Sequence, residues 1–267
     1  MKNSIEQAQI EAARAYESLF VPALFEQWTA LLADTARVHA GQRVLDVACG
    51  TGVLARYIAA RVGAGGAVTG LDPNPGMLEV ARERAPTVDW RRGTAESLPF
   101  AAASFDAVVS QFGLMFFTDR VPAVSEMLRV LKPGGRLAVA VWDTLENNPL
   151  YAAEVDLLAR LAGRAAAEAL QAPFALGDRK ALARVFADAG AAAEISTQPG
   201  TARFPSLRVV LEADLRGWLP MVGLILSEDT IGRVLAAADD ELGEHVRRAD
   251  HGIEFPLSSH IVSAARH

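Results

Sequence analysis

The sequence has little of several features that would point to particular classes of protein. Cys49 is the single cysteine in 267 residues, so no internal disulfide can form, and we expect a reducing, cytoplasmic setting. The 26 Lys and Arg are outnumbered by 32 Asp and Glu, and a net charge of -6 argues against a nucleic-acid partner. The longest apolar run, residues 219–226, contains Pro220 and is too short to span a membrane, and residues 1–7 lack the apolar core of a signal peptide.

The most informative stretch is residues 44–59, where a strand pattern changes abruptly to a helix pattern. Residues 44–47 are typical of a buried strand, and apolar side chains recur at helical spacing from Val53 to Ala59. Between them lie Gly50, Thr51 and Gly52. Such a turn directs backbone N–H groups and the positive end of a helix to one place, which predicts a pocket for a nucleotide-type ligand.

The surrounding pattern predicts an α/β fold in which strands alternate with helices, so that a parallel sheet carries helices on both faces. Strands are predicted at 43–48, 67–72, 88–91, 105–111, 136–142, 192–204 and 253–264. Helices are predicted at 5–36 (divided at Pro22), 52–62, 76–85, 120–131, 150–170, 178–189, 206–218 and 227–247.

The glycine turn by itself leaves the ligand open. Residues 50–55 also satisfy the loose dinucleotide pattern, and Asp72 follows about 20 residues later, as in an NAD-binding protein. Three further features discriminate: Asp46 lies inside the first strand, residues 93–96 (Gly-Thr-Ala-Glu) follow the third, and residues 131–135 (Leu-Lys-Pro-Gly-Gly) precede the fifth.

Together these motifs resemble the class I S-adenosylmethionine-dependent methyltransferases, in particular the type 11 group of small-molecule enzymes that includes ubiquinone and menaquinone biosynthesis methyltransferases. The resemblance is strong over residues 43–143 and weak in the flanks. It implies a Rossmann-like, doubly wound, mostly parallel seven-stranded sheet with an antiparallel last strand. In the family's first motif, small residues alternate after the acid; here Ala48 stands where glycine is usual, a change that costs little unless that position needs a positive φ.

The resemblance also implies which residues hold S-adenosylmethionine. The methionine part would lie over residues 48–52, above Asp46, and the Asp72 carboxylate would accept hydrogen bonds from the two ribose hydroxyls. The implied cofactor-binding residues are Asp46, Ala48, Cys49, Gly50, Thr51, Gly52, Asp72, Pro73, Met77, Thr94, Ala95, Glu96, Gln111, Phe112 and Gly113. Pro73 and Met77 would flank the adenine.

Plainer interpretations remain open for several of these residues. Cys49 is best explained as a small apolar space-filler, Asp72 is alternatively the cap of the helix near Pro75, and Glu96 is alternatively a solvated surface acid. The N-terminal aromatic residues are expected mostly to cover the core, with some closing over a ligand. Phe112, Met115, Phe116 and Phe117 suit an apolar passage, although for Phe116 and Phe117 we favour the core.

No catalytic residue is assigned, because methyl transfer is promoted mostly by positioning in a water-poor site and needs a base only when the acceptor must lose a proton. His245, His251, His260 and Asp143 are candidate bases without a partner pattern. A metal site is disfavoured, since the histidines and acids near residue 245 match no familiar zinc spacing.

The sequence thus predicts one methyltransferase domain with an N-terminal helical lid (1–40), a cofactor-binding core (41–145) and a helical cap inserted at 206–250. The expected activity is methyl transfer to a small, partly apolar molecule, such as a quinone precursor or secondary metabolite. An NAD-dependent oxidoreductase and a non-catalytic S-adenosylmethionine-binding protein are the alternatives. The choice between C-, N- and O-methylation is open, as is the oligomeric state, for which a homodimer is one option.

Overall fold

The computed structural model describes the backbone of residues 2–266 and the side chains of residues 7–266. Met1, which belongs to the predicted lid, and His267 lie outside the described residues, as do the side chains of residues 2–6. Within the described chain, no helix is both long enough and apolar enough to cross a membrane.

The centre of the molecule is a sheet in the order β3-β2-β1-β4-β5-β8-β6. The strands are β1 Arg43–Val47, β2 Ala67–Asp72, β3 Asp89–Arg92, β4 Phe105–Gln111, β5 Leu131–Trp142, β6 Ala193–Phe204, β7 Arg247–Ala249 and β8 Gly252–Ala265. β1 to β5 pair in parallel, whereas β8 runs antiparallel to both β5 and β6. The predicted mostly parallel, seven-stranded arrangement with an antiparallel last strand is therefore confirmed; the three-residue β7, paired with β8, was not predicted.

Helices cover the sheet. They are α1 Lys2–Phe20, α2 Thr29–Thr35, α3 Val53–Val62, α4 Pro75–Arg84, α5 Arg120–Val130, α6 Pro149–Leu161, α7 Arg164–Gln171, α8 Arg179–Asp188, α9 Leu207–Ala213, α10 Leu219–Met221 and α11 Glu228–Leu242. Pro22 lies in a wide helical turn, residues 21–25, that joins the first two helices through a tighter turn at 26–28. The core fills both sides of the sheet, and Val44, Leu45 and Val47 are all fully buried, as expected for a central parallel strand.

Three predicted element boundaries were wrong. The helix expected at 150–170 is two helices, because Gly163 takes a φ of +93° between them. The helix expected to reach residue 247 ends at Leu242, since the chain then turns into the β7–β8 hairpin. β5 begins at Leu131 rather than Arg136, because Leu131 already pairs with Phe105 before residues 132–135 bulge out of the ladder.

Candidate functional site

The carboxyl ends of the parallel strands open into a cavity of about 550 Å³. Ligands in open α/β sheets bind at this edge, so the cavity occupies the place expected for a site. Eleven of the predicted cofactor residues border it: Ala48, Gly50, Asp72, Pro73, Met77, Thr94, Ala95, Glu96, Gln111, Phe112 and Gly113. We call this side the strand-end wall.

The glycine turn after β1 passes through left-handed backbone at three alternate residues. Ala48 has a φ of +58°, Gly50 of +54° and Gly52 of +86°. A Cβ on Gly52 would approach the Trp90 ring to 2.3 Å, so this glycine is required by both conformation and space. Ala48 thus stands at a position that needs a positive φ, where an L-residue costs roughly 1–2 kcal/mol relative to its usual backbone.

Asp72, the last residue of β2, is held by the backbone of two loops. Its Oδ2 accepts a hydrogen bond from the Gly50 N–H at 2.9 Å, and its Oδ1 accepts one from the Asn74 N–H at 2.8 Å. Burial raises the pKa of Asp72, and the two hydrogen bonds oppose that shift. The helix-cap interpretation of Asp72 was wrong, because the Asn74 side chain caps α4 by accepting from the Gly76 and Met77 N–H groups.

Two further segments complete the strand-end wall. Glu96 Oε1 accepts from the Thr118 N–H at 3.0 Å, which ties the loop after β3 to the loop after β4 and does not fit a solvated surface acid. Phe112 has a φ of +54° and stacks on Trp142 with ring centroids 4.0 Å apart. A Cβ on Gly113 would lie 2.6 Å from the Ala48 Cβ, so glycine there allows the ends of β1 and β4 to approach closely.

Four predicted residues do not border the large cavity. Asp46, Cys49 and Thr51 surround a separate cavity of about 30 Å³ behind the turn, and Gly52 packs its Cα against Trp90. Cys49 is buried in the hydrophobic core, in agreement with the space-filling interpretation, and burial raises the pKa of its thiol.

Asp46 is the unusual member of this group. It is 1% exposed, and neither carboxylate oxygen has a hydrogen-bond partner among the described residues. Burial raises the pKa of Asp46 to about 8; the nearby Ala55 N–H opposes this shift, and the charge of Asp72 adds a smaller increase. A cation beside this buried acid would lower its pKa and favour the ionised form.

The rest of the cavity lining was only partly expected from the sequence. We call it the acceptor wall. It is formed by Tyr16, Phe20, Leu24, Phe25, Phe116, Phe117, Trp142, Tyr151, Leu170, Pro173, Phe174, Asp214, Trp218, Met221 and Val222. The preference for a core position was wrong for Phe116, which is 48% exposed and borders the cavity, whereas Met115 is buried in the core. Part of this lining had a sequence signal: the N-terminal aromatic residues were expected partly to close over a ligand, and Phe116 suited an apolar passage. Trp142 had a further one, since it ends β5 at the same edge as Asp72 and Gln111.

None of the four candidate bases is among the described residues that border the cavity. His260 is 1% exposed; its Nε2 lies 2.8 Å from the Gly177 carbonyl oxygen and 3.1 Å from Asp143 Oδ1. Asp143 also accepts from the Ser258 hydroxyl at 2.6 Å. These contacts join the end of β5 to the middle of β8. No cluster of three or more metal-ligating side chains is present among the described residues.

Comparison with known proteins agrees with this geometry. A family model described as a methyltransferase domain matches residues 45–139. Residues 45–139 are therefore similar to a methyltransferase domain. The fold of this region and its flanks is also that of the YcgJ protein from Bacillus subtilis, with a TM-score of 0.61 and 20% identity over 90% of this chain and 98% of the other. A geranyl diphosphate methyltransferase structure gives a TM-score of 0.53 at 16% identity, covering 91% of this chain and 86% of the other.

Curated relatives of the methyltransferase domain are more similar in sequence but over a shorter span. A demethylmenaquinone methyltransferase from Renibacterium salmoninarum is 42% identical over 134 residues, 50% of this chain and 55% of the relative. A ubiquinone/menaquinone biosynthesis C-methyltransferase UbiE from Ectopseudomonas mendocina is 42% identical over 139 residues, 50% of this chain and 54% of the relative. The chain spans about half the length of the curated relatives it matches.

Proposed function

We propose that this protein transfers a methyl group from S-adenosylmethionine to a small, partly apolar molecule of the quinone-precursor type. The observation that carries the proposal is Asp72, which borders the cavity beside the glycine turn. Each of its oxygens accepts one backbone hydrogen bond and retains acceptor capacity for a ribose hydroxyl. The names of the quinone methyltransferases related to residues 45–139 support the choice of acceptor.

The predicted cofactor residues fit this ligand chemically. Bound there, S-adenosylmethionine would supply an electrophilic methyl group on a sulfonium. Pro73 and Met77 offer apolar surface to the adenine, and Ala48 and Gly50 allow the backbone to approach the methionine part. Asp46, buried and without a partner, suits the ammonium group of that part. This chain's own residues would bind and orient the two reactants and exclude water between them.

The proposed division of the chain follows from the two walls. Residues 41–145 are the cofactor-binding core, residues 1–40 the lid and residues 206–250 the cap. Phe25 from the first segment and Trp218 from the third border the same cavity as Asp72, which supports this assignment. One cavity reaching both walls also favours transfer over a non-catalytic protein with a blocked acceptor passage. The net charge and the single buried cysteine support a small-molecule acceptor in a cytoplasmic setting.

Calorimetric titration with S-adenosylmethionine, S-adenosylhomocysteine and NAD tests the proposal. We expect the first two to bind and NAD not to bind. Asp72→Ala should weaken S-adenosylhomocysteine binding about 10- to 100-fold, the scale of lost hydrogen bonds to a charged group. Asp188→Asn, an exposed acid at the end of α8, is the matched control. Binding of NAD alone, or unchanged affinity in folded Asp72→Ala, would contradict the proposal.

A further inference from the structure

The acceptor wall contains two buried carboxyl groups that the proposed cofactor site does not use. Asp214 lies in the wide helical turn of residues 214–218 and borders the cavity, whereas Glu154 lies behind it on α6. Their exposures are 4% and 0%. Among the described residues, nothing hydrogen-bonds to Oδ2 of Asp214 or to either oxygen of Glu154. Such groups are rare in folded proteins, because an unsatisfied buried polar atom costs about 1–3 kcal/mol.

The two acids differ in their access to the cavity. Burial raises the pKa of both, that of Asp214 to about 8, and the charge of Asp214 raises that of Glu154 further. Two carboxylates in one apolar region repel each other, so the pair retains at least one proton. Asp214 borders the cavity and can offer a carboxyl oxygen to a ligand there, whereas Glu154 does not border it.

The surroundings of Asp214 define what it can bind. Tyr151 and Phe174 pack with ring centroids 5.5 Å apart, and Leu170 and Pro173 add apolar surface. The Trp218 indole N–H already donates to the Ala169 carbonyl at 3.0 Å, so it is not free for a ligand. The wall therefore combines a mostly apolar, aromatic surface with one carboxyl group, that of Asp214.

We propose that Asp214 accepts a hydrogen bond from a hydroxyl group on an aromatic methyl acceptor, and that Glu154 is a positioning residue behind it. A hydroxyl has one donor to satisfy, which matches one carboxylate, whereas an ammonium group would leave donors facing apolar walls. This inference rests on the proposed function, because it assigns the acceptor end of the same cavity.

The experiment compares 1-naphthol with 1-methoxynaphthalene, which keeps the ring system and lacks the donor. Both are titrated calorimetrically into the full chain with saturating S-adenosylhomocysteine. We expect the wild type to prefer 1-naphthol at least tenfold, and Asp214→Leu to reduce the preference to about one. Asp214→Asn should keep part of it through the amide oxygen. Asp229→Asn, an exposed acid on the same insertion, should retain the full preference.

The role of Glu154 is tested by measuring the same preference for 1-naphthol in a Glu154 variant. Glu154→Gln replaces the acid by a neutral amide and should keep the preference within about threefold. Loss of the preference in this variant would assign the charge to Glu154 and overturn the division of roles between the two acids. Circular dichroism checks that each variant folds, and the isosteric Asp214→Asn keeps the test informative if the leucine variant does not.

The remaining outcomes are also decisive. Equal binding of the two naphthalenes by the wild type, or binding of neither, overturns the inference. Tighter binding of 1-naphthylmethylamine than of 1-naphthol identifies a cationic occupant and overturns the hydroxyl assignment. Binding of S-adenosylhomocysteine separates failure of this inference from failure of the proposed function. If it binds and the protein does not prefer 1-naphthol, only the assignment of Asp214 fails. If it does not bind, the proposed function fails.

Discussion

The two walls of the cavity are built in opposite ways. The strand-end wall comes from residues 48–113, where loops after consecutive strands meet at one edge of the sheet. Its geometry is fixed by backbone: left-handed turn residues, N–H groups directed at Asp72, and glycines pressed against Trp90 or Ala48. The acceptor wall comes from five separate parts of the chain, residues 16–25, 116–117, 142, 151–174 and 214–222, and is held by aromatic side-chain contacts.

The two walls also differ in the hydrogen bonding of their buried acids. Asp72 is satisfied by two backbone donors, whereas Oδ2 of Asp214 has no partner among the described residues. Backbone donors can be placed by a local motif. A buried side chain that lacks a partner within the protein can be recognised only once its surroundings are known. A binding surface fixed by the backbone therefore tolerates few substitutions, whereas substitutions in a surface made of side chains can adapt it to another ligand.

The largest expected effect compares the stability of the glycine turn behind the strand-end wall with that of the acceptor wall. Gly52→Ala should lower the free energy of unfolding by about 3 kcal/mol, because its Cβ meets the Trp90 ring at a positive φ. On the acceptor wall's helical turn, Gly217→Ala meets only Phe20 Cε2, at 3.8 Å, and should be neutral or stabilise the protein by up to about 1 kcal/mol. Urea unfolding measures both. Equal losses in the two variants would remove the distinction between the walls.

A smaller effect concerns the buried acid behind the glycine turn. The folded-state pKa of Asp46, about 8, exceeds its unfolded value, so the folded state binds the proton more tightly and stability falls as pH rises from about 4 to about 8. Without a cofactor, Asp46→Asn should therefore be more stable than the wild type by about 2 kcal/mol near pH 8.5 and nearly equal to it near pH 4. Thermal melting across this pH range measures the difference.

Asp46→Asn and Asp214→Asn should also differ in their effect on cofactor affinity. Asp46→Asn should weaken S-adenosylmethionine binding, because it removes the buried negative charge, whereas Asp214→Asn on the other wall should leave that affinity unchanged. An Asp46→Asn advantage that does not vary with pH would contradict the assigned titration. Equal weakening by both variants would contradict the separation of cofactor and acceptor ends.

The smallest effect tests strain in the turn. Ala48→Gly should stabilise the protein by about 0.5–1 kcal/mol, since relief of the left-handed conformation exceeds the entropy that glycine loses on folding. Ala103, exposed and at a φ of +57°, is a matched position away from the cavity, and Ala103→Gly should give a similar gain. Differential scanning calorimetry measures both. Destabilisation by Ala48→Gly alone would mean that the Ala48 methyl packing against Gly113 outweighs the strain.

Much of the strand-end wall was predictable. The alternation of strands and helices indicated the parallel sheet, and the topology of such a sheet places Asp72, Thr94 and Gln111 at one edge. Asp46 was expected at the cofactor pocket, and it faces a small cavity that shares Ala48, Gly50 and Gln111 with the large one. The helix expected at 150–170 hid a break at Gly163, since abundant alanine masks a single glycine in a helical pattern.

Sequence alone determined the location of the site and the kind of ligand that its motifs fit, because a glycine turn, an acid at a strand end and a parallel sheet are encoded by residues close together in the chain. Tertiary structure decided the rest. Tyr151, Asp214 and Trp218 belong to helices with no motif of their own, and only packing brings them to one wall. Whether a buried acid such as Asp214 is satisfied depends on every neighbour within hydrogen-bond reach, and those neighbours are set by the fold.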